Sequence, residues 1–278
     1  MTEPFGAFTP SPFEQRVRAL GRRLPRNEFG RKAASLLLGP AGGRKRAPRD
    51  VFVFDSQKAR LHPYDNICEK RVYLTPQFWE AEERDALAAV IREFRGRIFR
   101  FADIGANVGL YSLFARSQCA LSGAEFRGLA VDADEEMTAR LRFNALASGA
   151  GDELVIETCA VSDSEGTAQF FVNRESRGES RLSEGGERIV PTRLLKSLVD
   201  ASGLGHADVM KLDIEGHEAR ALGAYFASTP NELTPRAVII ETSHRADAAL
   251  ELLRVCGYIL SLATRRNAVL IRADHFPG

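Results

Sequence analysis

Phe101-Ala-Asp-Ile-Gly-Ala-Asn-Val-Gly-Leu-Tyr111 reads as a strand that ends in a carboxylate and turns through small residues into a helix. Ile98, Phe99 and Phe101 supply the apolar strand, and Asp103 stands at its carboxyl end. Gly105 and Gly109 fall where a bare backbone approaches a ligand that a side chain would strike. Asn107 takes the place that a dinucleotide-binding loop usually gives to its second glycine, and asparagine tolerates positive φ. Leu110, Leu113 and Phe114 recur at helical spacing, so the turn is expected to open directly into a helix with its free N–H groups facing the ligand.

A glycine turn of this kind also serves chains that bind nothing, so its surroundings decide. After a break at Ser122-Gly123, a second strand, Phe126 to Val131, ends in Asp132-Ala-Asp134. An acid at that strand end accepts hydrogen bonds from both ribose hydroxyls of a nucleoside laid across the sheet edge, and Asp132 is the better placed. Met137, Leu141 and Ala145 mark one face of the next helix, and Leu154 to Glu157 form a third strand. Ala160-Val-Ser-Asp163 follows where the adenine of a cofactor would lie in a doubly wound sheet. Asp163 is either an acceptor for the adenine amino group or part of an ordinary Asp-Ser-Glu-Gly turn.

A second chemical centre follows a helix expected from Thr192 to Ala201. Asp208-Val-Met-Lys-Leu-Asp213 is a strand ending in a carboxylate, and Ile214-Glu-Gly-His-Glu218 turns into a helix. Asp213, Glu215, His217 and Glu218 thus crowd one strand end, the place where α/β proteins bind ligands. The plainer reading gives Glu215 and Glu218 to a helix N-terminus and leaves His217 solvated. Ala237 to Ile240 is a further buried strand, closed by Glu241, with His244 three residues on. Asp103, Asp132, Asp213 and Glu241 all end apolar strands, which predicts one shared cleft. Asp213, Glu215 and Glu241 are also of a type that gathers a divalent cation, but the usual ligand inventory is incomplete and no metal is assigned. The chain closes with a helix, Ala246 to Cys256, and two β-like runs joined by Thr264-Arg-Arg-Asn267, a link short enough only for an antiparallel hairpin.

The 278 residues, 44% of them hydrophobic, suffice for one large α/β domain and an extension. Cys68, Cys119, Cys159 and Cys256 are too scattered for a disulfide framework or a zinc site and read as reduced core thiols. No apolar run approaches the roughly 20 residues of a membrane span, and no secretory core follows the first charges, so a cytoplasmic protein is expected. The net charge of +1 hides an asymmetry, because residues 1–50 carry eleven Lys or Arg against four acids. With six prolines, that segment reads as a flexible basic extension. An acidic-membrane or nucleic-acid contact is conceivable there, but nucleic acid is disfavoured because no aromatic residues are interleaved for base stacking. Residues 51–96 read as a cover of two short strands, Val51 to Phe54 and Arg71 to Leu74, and a helix carrying Leu87, Val90, Ile91 and Phe94. The polar stretch Asn173 to Arg188 reads as a flexible loop, either a lid or a tolerated insertion.

Taken together, Asp103-Ile-Gly-Ala-Asn-Val-Gly109, Lys211-Leu-Asp-Ile-Glu-Gly-His-Glu218, Ala160-Val-Ser-Asp163 and Ile240-Glu241 with His244 resemble the FkbM-type S-adenosylmethionine-dependent methyltransferases over about Phe99 to Arg272. The resemblance implies a class I methyltransferase fold, an α/β Rossmann-like, seven-stranded, doubly wound sheet whose last strand is antiparallel, in a domain placed at residues 97–278. It implies S-adenosylmethionine as cofactor and methyl transfer to a hydroxyl of a sugar, glycan, glycolipid or secondary metabolite. Asp103, Gly105, Asn107, Gly109, Asp132, Asp163 and Asp213 are then the expected cofactor residues. Asp213, Glu215, His217 and His244 are the catalytic candidates, with the histidines preferred as general base. Where such proteins often carry Leu-Asp before the second centre, this chain has Leu194-Leu195.

Two other readings stand beside it. A nicotinamide-dependent oxidoreductase shares the glycine loop and the following acid, but here the loop is G-x-N-x-G and no Ser/Tyr/Lys proton relay is present. A non-catalytic module that only holds S-adenosylmethionine has no use for the ionisable cluster at residues 213–218.

Overall fold

Ser11 and Glu14 close a capping box in which each side chain accepts the other residue's backbone N–H, and Pro12 occupies the first helical turn. They start α1 (Pro12–Gly21) in the computed structural model, which describes residues 3–171, 181–182, 185–242 and 246–275. A second helix, α2 (Glu28–Leu37), is capped by the Asn27 side chain. The expected flexible extension is therefore helical, and it is tied to the rest of the chain. Buried Arg18 donates through Nε to the Tyr73 carbonyl at 3.0 Å, and the Tyr73 hydroxyl donates to the Ala41 carbonyl. Asp50 accepts the backbone N–H groups of Gly6 and Phe8 and the Arg60 guanidinium. The prolines misled because they lie at a helix start and in connections, where they break nothing.

The cover continues with an antiparallel hairpin, β1 (Arg49–Val53) and β2 (Gln57–Leu61). It then forms α3 (Ile67–Leu74) and α4 (Ala81–Arg92). A strand was expected at Arg71 to Leu74. The Asn66 side chain instead accepts the N–H groups of Cys68 and Glu69 and starts a helix, in which Val72, Tyr73 and Leu74 are all buried.

The organising strand is β3 (Ile98–Ile104), followed by α5 (Leu110–Ser122), β4 (Glu125–Asp132), α6 (Glu135–Ala147) and β5 (Leu154–Thr158). A small side sheet comes next, with β6 (Ala160–Ser162), β7 (Gly166–Phe171), β8 (Arg181–Leu182) and β9 (Arg188–Leu194) in the order β6-β9-β7-β8. Thr192 thus belongs to β9, and the expected helix begins later as α7 (Leu195–Ala201). Much of the loop expected at 173–188 lies outside the described residues. The chain returns to the main sheet with β10 (Val209–Leu212), α8 (Glu218–Ser228), β11 (Ala237–Glu241), α9 (Asp247–Val255), β12 (Tyr258–Ala263) and β13 (Asn267–Arg272).

The main sheet has seven strands in the order β12-β13-β11-β10-β3-β4-β5, and β13 runs antiparallel to both of its neighbours. This is the class I methyltransferase arrangement. Alternate residues of β3 feed opposite cores: Phe99 and Phe101 pack with α4 and α5, while Ala102 and Ile104 pack with α7 and α8. The chain leaves β3 toward β4 on one side and later lays β10 on the other, so a crevice opens at the carboxyl ends of β3 and β10. Among the described residues no helix is long and apolar enough to cross a membrane.

Candidate active site

Gly105 and Asn107 adopt positive φ at +75° and +52°, as a turn from β3 into α5 requires. The neighbour that demands the first glycine is the chain itself. A Cβ on Gly105 would lie 1.8 Å from the Asp213 carbonyl, and one on Gly109 would meet the Leu141 side chain at 2.9 Å. These glycines let β3, β10 and α6 close on one another, and Gly105 also lines the cavity at the strand ends. The loop N–H groups are likewise committed. Those of Gly105 and Ala106 go to the Val131 carbonyl, that of Asn107 to Asp132 Oδ2 at 2.7 Å, and that of Ser112 to Asp103 Oδ2 at 3.1 Å.

The pocket is lined mainly by side chains. Asp103, Gly105, Asn107, Asp132, Asp213 and His217 line one cavity together with Glu80, Tyr111 and Lys211. Asp103 is 1% exposed; its Oδ2 also accepts the Ser112 hydroxyl at 2.7 Å, and its Oδ1 is buried without a hydrogen-bond partner. Burial raises its pKa against the opposing pull of Lys211. Asp132 accepts the Asp134 N–H at 2.8 Å on Oδ1, and burial pushes its carboxyl up to about 6.

Lys211 is buried in β10 directly opposite Asp103 in the register. Its Nζ lies 3.0 Å from Asp213 Oδ2 and 5.1 Å from the centre of the Tyr111 ring. Burial disfavours the ammonium, but Asp213, Asp103 and Glu80 outweigh it and raise its pKa, so the lysine stays charged. Glu80, which sits left-handed at the start of α4 with φ +41°, accepts the Tyr111 hydroxyl at 2.7 Å, and burial raises its pKa. The Asp213–His217 turn is fixed from below by buried Glu218, which accepts the N–H groups of Ile214 and Gly216 at 2.9 and 3.0 Å. His217 then presents a buried Nδ1 with no hydrogen-bond partner.

The remaining expected residues are elsewhere. Asp163 is outside the cavity lining and receives a two-pronged contact from Arg220 at 2.9 Å. Glu215 sits beside the pocket with Asp213 and Glu241, their carboxylate oxygens within 4.8 Å of one another. His244 lies outside the described residues. Glu80, Tyr111 and Lys211 carried no role in the sequence reading. A lone lysine inside the apolar strand Val-Met-Lys-Leu was a usable signal, since such a charge must find partners. Glu80 offered none, because a left-handed residue brought in from α4 leaves no periodic trace.

Among curated proteins no relative matches the chain. Several solved structures resemble it. The methyltransferase FkbM from Methylobacillus flagellatus KT is 16% identical with a TM-score of 0.46, over 74% of this chain and 55% of its own; the present chain thus spans about half of that protein. The METTL16 methyltransferase domain is 14% identical with a TM-score of 0.49, over 94% and 80%. Streptococcus pneumoniae Sp1610, a putative tRNA (m1A22) methyltransferase in complex with S-adenosyl-L-methionine, is 13% identical with a TM-score of 0.41, over 69% and 72%. The profile of the methyltransferase FkbM domain matches residues 103–260, more than half of the chain, from the β3 carboxylate through the Asp213–Glu218 turn to β12. The chain belongs to the FkbM methyltransferase family, whose cofactor is S-adenosylmethionine.

Proposed function

We propose that the protein transfers the methyl group of S-adenosylmethionine to a hydroxyl of a sugar, glycan or secondary metabolite. The observation that carries this reading is one cavity lined by Asp103, Asp132 and His217, of which Asp103 Oδ1 and His217 Nδ1 are buried with no hydrogen-bond partner among the described residues. The residues fit the cofactor. Carboxylates of Glu80, Asp103, Asp132 and Asp213 outnumber the single Lys211 ammonium, and S-adenosylmethionine brings a sulfonium and an ammonium to a pocket with surplus negative charge. Asp132 would accept the ribose hydroxyls, and Asp103 Oδ1 would accept the ammonium of the methionine end, with Asp213 beside it. Gly105, Asn107 and Gly109 contribute by holding the turn, and Asp163 would act only if it exchanged Arg220 for the adenine amino group.

When bound, the cofactor supplies an electrophilic methyl group. The protein's share is to align the acceptor oxygen, an effect worth about 7–11 kcal/mol, and to take its proton. His217 is the proposed general base, and its Nδ1 is held by no hydrogen-bond partner among the described residues. Asp213 and Glu215 orient the acceptor from the same turn, and His244 is the alternative base. Base assistance of this kind contributes about 10²–10⁴-fold.

The test is transfer from methyl-labelled S-adenosylmethionine to a panel of sugars, glycans and hydroxylated metabolites. The expected product carries an alkali-stable methyl ether. Label recovered only on nitrogen, or only on nucleic acid, would contradict the hydroxyl assignment.

A further inference from the structure

The first two helices carry the same outward pattern. Phe13, Arg16 and Leu20 of α1 stand at i, i+3 and i+7, and Phe29, Lys32 and Leu36 of α2 repeat that spacing. Such residues share one helix stripe. The stripes are bare: Phe13, Leu20, Phe29 and Leu36 are 64%, 56%, 72% and 77% exposed. The opposite faces are committed to the fold. Val17 and Arg18 of α1 are buried, and Ala34 and Leu37 of α2 pack against the main core. The apolar stripes are therefore not the core faces of the helices.

Charge around the stripes is mostly positive. Of the four acids in residues 1–50, Glu14 and Asp50 are buried under ion pairs with Lys45 and Arg60, which leaves Glu3 and Glu28 exposed. Arg16, Arg23, Arg31, Lys32 and Arg46 are exposed and have no ion-pair partner among the described residues. We propose that the outward faces of α1 and α2 form a docking surface for an anionic lipid bilayer, with the phenylalanines and leucines entering the acyl boundary and the bases meeting the headgroups. Arg16 and Lys32 lie within the stripes, where a long side chain can reach the headgroup layer while its stem follows the apolar residues inward. A phosphate backbone would use the bases but has no use for Leu20 and Leu36. A second copy of this face would set like charge against like. The surface lies outside the matched residues 103–260, so it stands apart from the methyl-transfer reading.

The test is co-sedimentation of the full chain with vesicles of phosphatidylcholine alone and of phosphatidylcholine mixed with phosphatidylglycerol. Binding is expected to the anionic vesicles, about tenfold or more above the neutral ones, and to weaken with salt. Phe13→Ser with Phe29→Ser, and separately Arg16→Glu with Lys32→Glu, should each reduce it about tenfold or more with an unchanged thermal melt, since all four side chains are exposed. No sedimentation with either vesicle at low salt would overturn the proposal. So would binding that survives the phenylalanine changes and is displaced by RNA, which marks a nucleic-acid surface. A self-association abolished by the phenylalanine changes in vesicle-free solution, without vesicle binding, would overturn it in favour of a homotypic interface.

Discussion

Asp132 holds the Asn107 N–H and borders the cavity, so one carboxylate both fixes the loop and faces the proposed cofactor site. Burial raises its pKa from 3.8 to about 6, and a raised carboxylate has a definite sign. Between those values the folded chain keeps a proton that the unfolded chain has lost, so this group favours folding at low pH and loses that contribution as pH rises through about 6. Ribose hydroxyls donate best to the ionised form, so S-adenosylmethionine affinity should fall as pH drops through about 6, by up to about tenfold per unit. Asp132→Asn should bind weakly with a flatter profile, which calorimetry across pH 5 to 8 would reveal. His217→Ala should lower kcat by about 10²–10⁴ while leaving cofactor affinity nearly unchanged. Full activity in that variant would move the base to His244. Asp103, Asp132, Asp213 and His217 were legible because each follows an apolar strand whose end must face the crevice. For Asp163 the sequence left a ligand contact and a turn open, because a strand-end acid looks the same whether a ligand or Arg220 takes it.

The two turns that border the cavity are locked to each other, since the missing Cβ of Gly105 is the space occupied by the Asp213 carbonyl. Gly105→Ala should therefore destabilise the fold by at least about 2 kcal/mol, through left-handed strain and the clash together. Gly149, at φ +74° with nothing within 4 Å of its built Cβ, provides the contrast. Gly149→Ala should cost only about 1–2 kcal/mol, and urea unfolding of the pair measures the difference. The strands of the main sheet could be read in advance because their apolar runs are bounded by glycines and acids. The segment Arg71 to Leu74 could not, because β-branched and aromatic residues there serve burial in a capped helix, and the cap at Asn66 lies upstream of the run.

On the scale of the molecule, the first fifty residues are a layer of the structure whose buried contacts reach α3. Removing residues 1–48 takes away Arg18 and Ala41, the hydrogen-bond partners of Tyr73, and uncovers Leu74, which a Cβ on Gly21 would meet at 2.7 Å. That truncation should lower the urea midpoint clearly, whereas a detached arm would leave it unchanged. Composition concealed this layer: eleven bases and scattered prolines resemble disorder until the capping box and the inward faces of α1 and α2 are seen in place. The central claim is that the crevice between β3 and β10 is the S-adenosylmethionine site. Calorimetric titration of the full chain with S-adenosylmethionine and with NAD, repeated on Asp132→Asn, tests it most directly. Saturable S-adenosylmethionine binding that the substitution weakens, with no NAD binding, is the predicted result; NAD binding without S-adenosylmethionine binding would contradict the assignment.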